Sequence, residues 1–231
     1  MAMAKAKAPA KSKAKALAKP AAGVRGVALV DLVTAKLAAD GTVDDPRPLA
    51  PKILAALALP DGRPLPPSLV RFLAFDADHL HVLDGKHRLQ LVPFADMVRR
   101  EYGDDWVEPY RAVAKLLTAP CLVVPGGGNS RRFVYFGEPD EHGEYPVFVL
   151  DNDERAYACI SYPGLDVYLA DGTVATIIKG NYADGFKHRT YGPALVAQAR
   201  HNFSGLESVS DFHADHVDGA AAAKKVMAKV R

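Results

Sequence analysis

The sequence predicts an α+β domain, with a mainly antiparallel sheet of about five to six strands flanked by helices. Three observations lead there. Apolar residues recur at helical spacing through the first half of the chain, a block of short β-rich segments follows, and helical spacing then returns. With 231 residues and 49% apolar positions, the chain can bury a substantial core. No run approaches the roughly 20 apolar residues of a membrane-spanning helix, and no internal repeat is visible.

Residues 1–22 are Ala/Lys/Pro-rich, with six lysines, no acid and no aromatic residue. Such a composition buries too little apolar surface to offset chain entropy, so a disordered basic tail is expected. A single domain over residues 23–231, ending in a helical extension, should follow. Val27–Ala39 sets Leu29, Val30, Val33 and Leu37 at helical spacing, and Asp40-Gly41 stops the run. Ala50–Leu59 is a second short helical segment, closed by the proline-rich link Pro60–Pro67. Pro67 suits a first helical position, opening a helix to Phe75 with Leu69, Phe72 and Leu73 inward. Leu80–Leu83 and Arg88–Val92 flank Asp84-Gly85-Lys86-His87 as a hairpin. Helices are expected over Phe94–Tyr102 and Glu108–Leu117.

Strands are expected at Cys121–Val124, Phe133–Phe136, Tyr145–Leu150 and Ala156–Ser161, separated by glycine-rich or acidic turns. Tyr145–Leu150 is apolar at nearly every position, the mark of a strand covered on both faces. Pro163–Ala170 returns to helix. Thr173–Lys179 is β-branched enough for a further strand, and Pro193–Phe203 and Gly219–Arg231 read as helices.

The net charge of +2 conceals a segregation. Both ends are basic, the last segment through Lys224, Lys225, Lys229 and Arg231, while residues 23–219 hold 19 bases against 27 acids, a net of −8. A pI near 8.4 therefore reflects basic ends on an acidic body and does not make it a nucleic-acid-binding domain. The tail alone would touch polyanions, weakly and with strong salt dependence. Two cysteines and a start without a hydrophobic signal region fit a cytoplasmic protein, with no membrane partner.

Several motifs fail on inspection. Gly126-Gly127-Gly128-Asn129 lacks the lysine and hydroxyl of a phosphate loop and leads into a strand. Asp151-Asn152-Asp153-Glu154 lacks the ligand and glycine a calcium loop needs next, offering Arg155 and Ala156. Cys121 and Cys159 sit in apolar strands, where cysteine serves as a small hydrophobe. No Gly-x-Ser-x-Gly elbow occurs. No catalytic residue and no cofactor are assigned. The metal-binding alternative is His213, Asp215 and His216, whose imidazoles would lie one turn apart if the segment were helical. It would imply a metal-dependent enzyme; a polar helix start is the competing reading.

The strongest signal is a concentration of acids. Glu138, Asp140, Glu141, Glu144, Asp151, Asp153 and Glu154 fall within residues 137–154, with no lysine or arginine in that stretch before Arg155. On two strand-connecting loops they would form either a solvated surface or a docking surface for a cationic protein, selecting partners and speeding encounter. Tyr135, Tyr145, Tyr157 and Tyr162 are either aromatic anchors for that partner or strand core.

Three pieces carry a resemblance: "LPPSLVRFLAFD" at Leu65–Asp76, "PGGGNSRRFVYFG" at Pro125–Gly137 and "VFVLDNDERAYACISYPGLDVYLADG" at Val147–Gly172, together about half the chain. In their order they resemble the SUKH superfamily, which includes bacterial immunity proteins and a yeast cell-wall assembly regulator. The stretch Leu80–Leu117 is longer than the family pattern, and the region beyond Gly180 has no counterpart in it. The resemblance implies an antiparallel sheet backed by helices and no catalytic residues. For the bacterial members it implies binding and neutralising a cognate toxin, often a nuclease; for the yeast branch, a regulatory scaffold. An acidic body suits a basic nuclease surface.

Overall fold

The computed structural model describes residues 23–126, 130–151, 157–179, 182–202 and 211–213. The helices are α1 (Gly26–Ala39), α2 (Pro51–Ala56), α3 (Pro67–Leu73), α4 (Phe94–Tyr102), α5 (Arg111–Leu116), α6 (Leu165–Ala170) and α7 (Gly192–Asn202). Short 3₁₀ segments occupy Asp104–Trp106 and Tyr182–Lys187. The strands are β1 (Leu91–Val92), β2 (Cys121–Val124), β3 (Arg131–Tyr135), β4 (Val147–Asp151), β5 (Tyr157–Tyr162) and β6 (Asp211–His213). They form one sheet in sequence order, every neighbouring pair antiparallel. This is the α+β architecture that the residue pattern predicts.

The pleat sends alternate residues of each strand to opposite faces, and helices cover both. Leu122, Val134, Phe136, Val147 and Tyr162 pack with residues of α1, α3 and α6. Cys121, Phe133, Phe148, Leu150 and Ile160 pack with residues of α4, α5 and α7. Two apolar cores therefore sandwich the sheet, which explains why β4 carries no polar face. Leu69, Phe72 and Leu73 of α3 are fully buried, as their spacing requires. On the other face the Phe133 and Phe148 rings stack with centroids 5.2 Å apart across β3 and β4.

Several elements depart from expectation. The predicted hairpin at Leu80–Val92 contracts to a bridge between Leu83 and Leu89 plus the two residues of β1. Its turn is closed by Asp84, whose carboxylate accepts the N–H groups of Lys86 and Arg88. Thr173–Lys179 is not a strand. Asp171 and Gly172, the latter at φ 74°, turn the chain, and Asp171 Oδ1 accepts the Ile177 N–H at 2.7 Å. Asp211–His213, whose metal alternative supposed a helix, is strand β6, because the edge of β5 at Tyr157–Cys159 takes up its backbone groups. The helix at Gly219–Arg231 and the tail 1–22 lie outside the described residues. Among those described, no helix is long and apolar enough to cross a membrane.

Candidate functional site

The described acidic residues divide between the two ends of β4. In an antiparallel meander successive connections alternate ends, and five residues of strand separate them by about 17 Å. Asp151 closes β4 at the end away from the β3–β4 connection. Its main-chain oxygen accepts the Tyr110 hydroxyl. Asp153 and Glu154 lie outside the described residues. Of the seven acids, the structure describes five, and Asp151 stands apart from the other four at the far end of β4.

The connection itself, residues 136–146, is held from several sides. Asp140 Oδ1 accepts the N–H groups of His142 at 2.8 Å and Glu144 at 2.9 Å, folding the segment on itself. Gly143, at φ 76°, supplies the left-handed conformation that this turn needs. From α7, Asn202 brackets Glu138, accepting its N–H at 2.7 Å and donating to its carbonyl at 3.0 Å. From the proline-rich link, the Arg63 guanidinium donates to the Phe136 carbonyl at 2.9 Å and to that of Gly137, lying 5.6 Å over the Tyr145 ring.

This rigid turn sorts its acids into two kinds. Glu138 and Glu141 are exposed, the latter with 88% of its side chain accessible. Glu144 is fully buried and cannot present charge to a partner. Its carboxyl accepts the Ser68 N–H at 2.8 Å and the Ser68 hydroxyl, at the first turn of α3 where the helix leaves its N–H groups unpaired. Burial pushes the Glu144 carboxyl up to about 8; nearby Asp166 adds to this, and the Ser68 bonds partly oppose it. Asp140 is largely buried as well, with 13% of its side chain accessible. Tyr135, Tyr145 and Tyr162 are core residues, while the side chain of Tyr157 lies outside the description.

Asp140 and a further buried acid, Asp166, share a cation the sequence did not mark. Arg25, just ahead of α1, donates from Nε to Asp166 at 2.7 Å and from Nη2 to Asp140 at 2.7 Å. Asp166, fully buried in the first turn of α6, also accepts the Gly26 N–H at 2.6 Å. One cation thereby ties α1, α6 and the β3–β4 connection together. Acidic residues in a first helical turn are common, so Asp166 gave no distinctive signal. Arg25 is separated from it by 141 positions.

Gly164 occupies the gap between the acids. A Cβ there would stand 2.5 Å from Asp166 Oδ1 and 2.6 Å from Glu144 Cβ. Gly164→Ala is therefore expected to cost about 1–3 kcal/mol as an overpacking change, read by urea unfolding. A loss below the error of that measurement would show the pair has room to separate.

A hollow of about 260 Å³ lies between the connection and α7, bordered by Arg25, Pro139, Asp140, Glu141, Ala197 and Gln198. A separate one of about 310 Å³ opens beside β1 and β2 and shares none of these residues. There Arg131 is engaged by Glu101 at 2.6 Å. Among the described residues, no three His, Cys, Asp or Glu side chains converge as metal ligands. His213 ends β6, and Asp215 and His216 lie outside the description, so the helical spacing behind that metal alternative does not hold at His213.

No protein family model matches the chain, and no curated protein matches it. One solved structure is similar, that of an uncharacterized protein from Salmonella enterica subsp. enterica serovar typhimurium str. 14028s. It aligns over 90% of this chain and 99% of its own, at 15% identity and a TM-score of 0.49.

Proposed function

We propose that the chain is a non-enzymatic binding module of immunity type, whose β3–β4 connection docks a cationic protein and neutralises it. A nuclease-like toxin, positive where it holds phosphate, has the matching chemistry. The observation that carries this reading is the pinned turn with Glu138 and Glu141 turned to solvent on it. Carboxylates on a hydrogen-bonded turn meet a partner at a smaller backbone ordering cost, and opposite charge speeds encounter. The SUKH resemblance in Leu65–Asp76, Pro125–Gly137 and Val147–Gly172 supports the same role. A cytoplasmic location belongs to the proposal, supported by two buried cysteines, Cys121 and Cys159, that are not joined as a disulfide.

The test reverses Glu138 and Glu141 together to lysine. Against the cationic partner isolated on the immobilised chain, association at low salt is expected to slow by about 10-fold or more, with a flatter salt dependence. Both positions are exposed, so unfolding should move by no more than about 0.5 kcal/mol. The partner's own activity should fall as the wild-type chain is added stoichiometrically. An unchanged association rate, or catalytic turnover by the isolated chain, overturns the reading.

A further inference from the structure

We propose that the hollow beside β1 and β2 binds a small organic carboxylate, its apolar body on the floor and its charge on Arg100. This hollow shares no residue with the one beside α7, so the inference stands independently of the docking reading.

The first support is the shape and lining of the hollow. At about 310 Å³ it reaches the roughly 300–1,000 Å³ range of small-molecule sites. It exists because β1 is short. Leu91 and Val92 pair with Leu122 and Cys121, so Val123 and Val124 run on beyond the edge strand. Gln90, the next residue back, gives its N–H to the Val82 carbonyl at 2.9 Å. The floor is apolar, with Leu80, Met97 and Val124 buried and Val123 half-buried.

The second support is an uncompensated cation on that apolar floor. Met97, Arg100 and Glu101 lie three and four residues apart on α4, hence on one helix face, and all three line the hollow. Glu101 is the one acid among the described lining residues, and Arg131 of β3 meets it at 2.6 Å. The neighbouring Arg99 is tied to Asp96 at 2.6 Å and Asp104 at 2.8 Å. Arg100 is exposed and has no carboxylate partner among the described residues. On a body of net charge −8, the hollow therefore presents a positive lining.

The third support is the backbone of His81, which also lines the hollow. Its φ of 50° lies in the left-handed region, which a residue with a Cβ enters at a steric cost. Two hydrogen bonds hold it there. Its N–H donates to the Asp78 carbonyl at 3.2 Å, and its own carbonyl accepts Gln90 Nε2 at 3.3 Å. Strain of this kind gathers at ligand clamps, and here it sets a solvent-exposed imidazole beside the hollow. An imidazole offers an N–H donor in either tautomer.

A carboxylate suits this lining better than a phosphate. One unengaged guanidinium balances one negative charge, and its fork meets two carboxylate oxygens in parallel. A phosphate dianion would call for a second unengaged cation, whereas Arg131 is already held by Glu101.

The experiment uses the full chain, ¹⁵N-labelled and with ¹³C-methyl methionine, titrated with 3-phenylpropanoate. Saturable shifts are expected at the Met97 methyl, the Gly126 N–H and the Gln90 side-chain amide. 3-Phenylpropanamide keeps the body without the charge and should bind about 10-fold more weakly, the value of one lost charge-assisted contact. Acetate keeps the charge without the body and should not saturate over the same range. Phenyl phosphate should bind no more tightly than the carboxylate. Arg100→Gln should reduce the acid to the level of the amide, with the urea midpoint unmoved because the position is exposed. His81→Gly suits the left-handed backbone, so the midpoint should fall no lower while binding weakens by about 3-fold. A purely structural His81 would leave binding unchanged. Absent saturation, equal binding of the amide or acetate, tighter binding of the phosphate, or undiminished binding by Arg100→Gln overturns the proposal. None of these results bears on the Glu138/Glu141 reversal, which tests docking separately.

Discussion

Arg25→Ala is expected to destabilise the fold by about 3–5 kcal/mol, the usual cost of removing one partner from a buried ion pair. The guanidinium is 6% exposed and Asp166 is fully buried, so deletion leaves a carboxylate inside the protein without its cation. The Gly26 N–H, at 2.6 Å, would be the one remaining donor to Asp166 among those described here. An internal reference exists. Asp31 and Arg71 pair at 2.6 Å on the surface, with half of the Asp31 side chain exposed. Asp31→Ala should cost about 1 kcal/mol or less, because solvent screens that pair. Urea unfolding of both variants reads the contrast, and hydrogen exchange at Leu29, Val30 and Val33 should report α1 opening first in Arg25→Ala. Equal small losses in the two variants would mean that the network contributes no more than a surface contact.

The second large effect is on pH dependence. The Glu144 carboxyl titrates near 4.5 when unfolded and is pushed up to about 8 when folded, through burial first and Asp166 second. Between those values the native state binds a proton that the unfolded state has released, so stability falls as pH rises. Its contribution is full below about pH 4.5 and is lost progressively up to about pH 8, at a slope of up to about 1.4 kcal/mol per unit. Glu144→Gln keeps the shape and an acceptor for the Ser68 N–H while removing the titration. Urea midpoints at pH 5, 6, 7 and 8 should decline less steeply in the variant. Groups remote from Glu144 contribute equally to both proteins, the imidazole of His188 among them, held below its usual value by desolvation. The difference between the curves therefore reports Glu144 together with its coupling to Asp166 and Asp140, and parallel curves would sink the assignment.

Much of the fold was legible because local rules and tertiary packing agree there. Phe94–Tyr102 forms a helix over those same residues, and Leu69, Phe72 and Leu73 face the core as their spacing requires. The elements that failed are those decided at a distance. β6 exists because β5 offers an unpaired edge, and Thr173–Lys179 turns because Asp171 reaches forward to Ile177. The candidate site shows the same limit more sharply. Glu141 and Glu144 are three residues apart with identical chemistry, yet one is exposed and the other wholly buried. Ser68, 76 positions earlier, and Asp166 decide between them. The placing of Asp151 at the other end of β4 from Glu138–Glu144, by contrast, was within reach. Two connections that flank one strand must leave from opposite ends of it.

The long span between Arg25 and Asp166 also matters during synthesis. α1 leaves the ribosome early, but its clamp on α6 closes only after 141 further residues have been added. At about 5–20 residues per second that interval is roughly 7–28 s. Throughout it the α6-facing side of the helix, apolar and without its final cover, stays open to a holding chaperone. A nascent chain stalled before Asp166 should be the form such a chaperone retains.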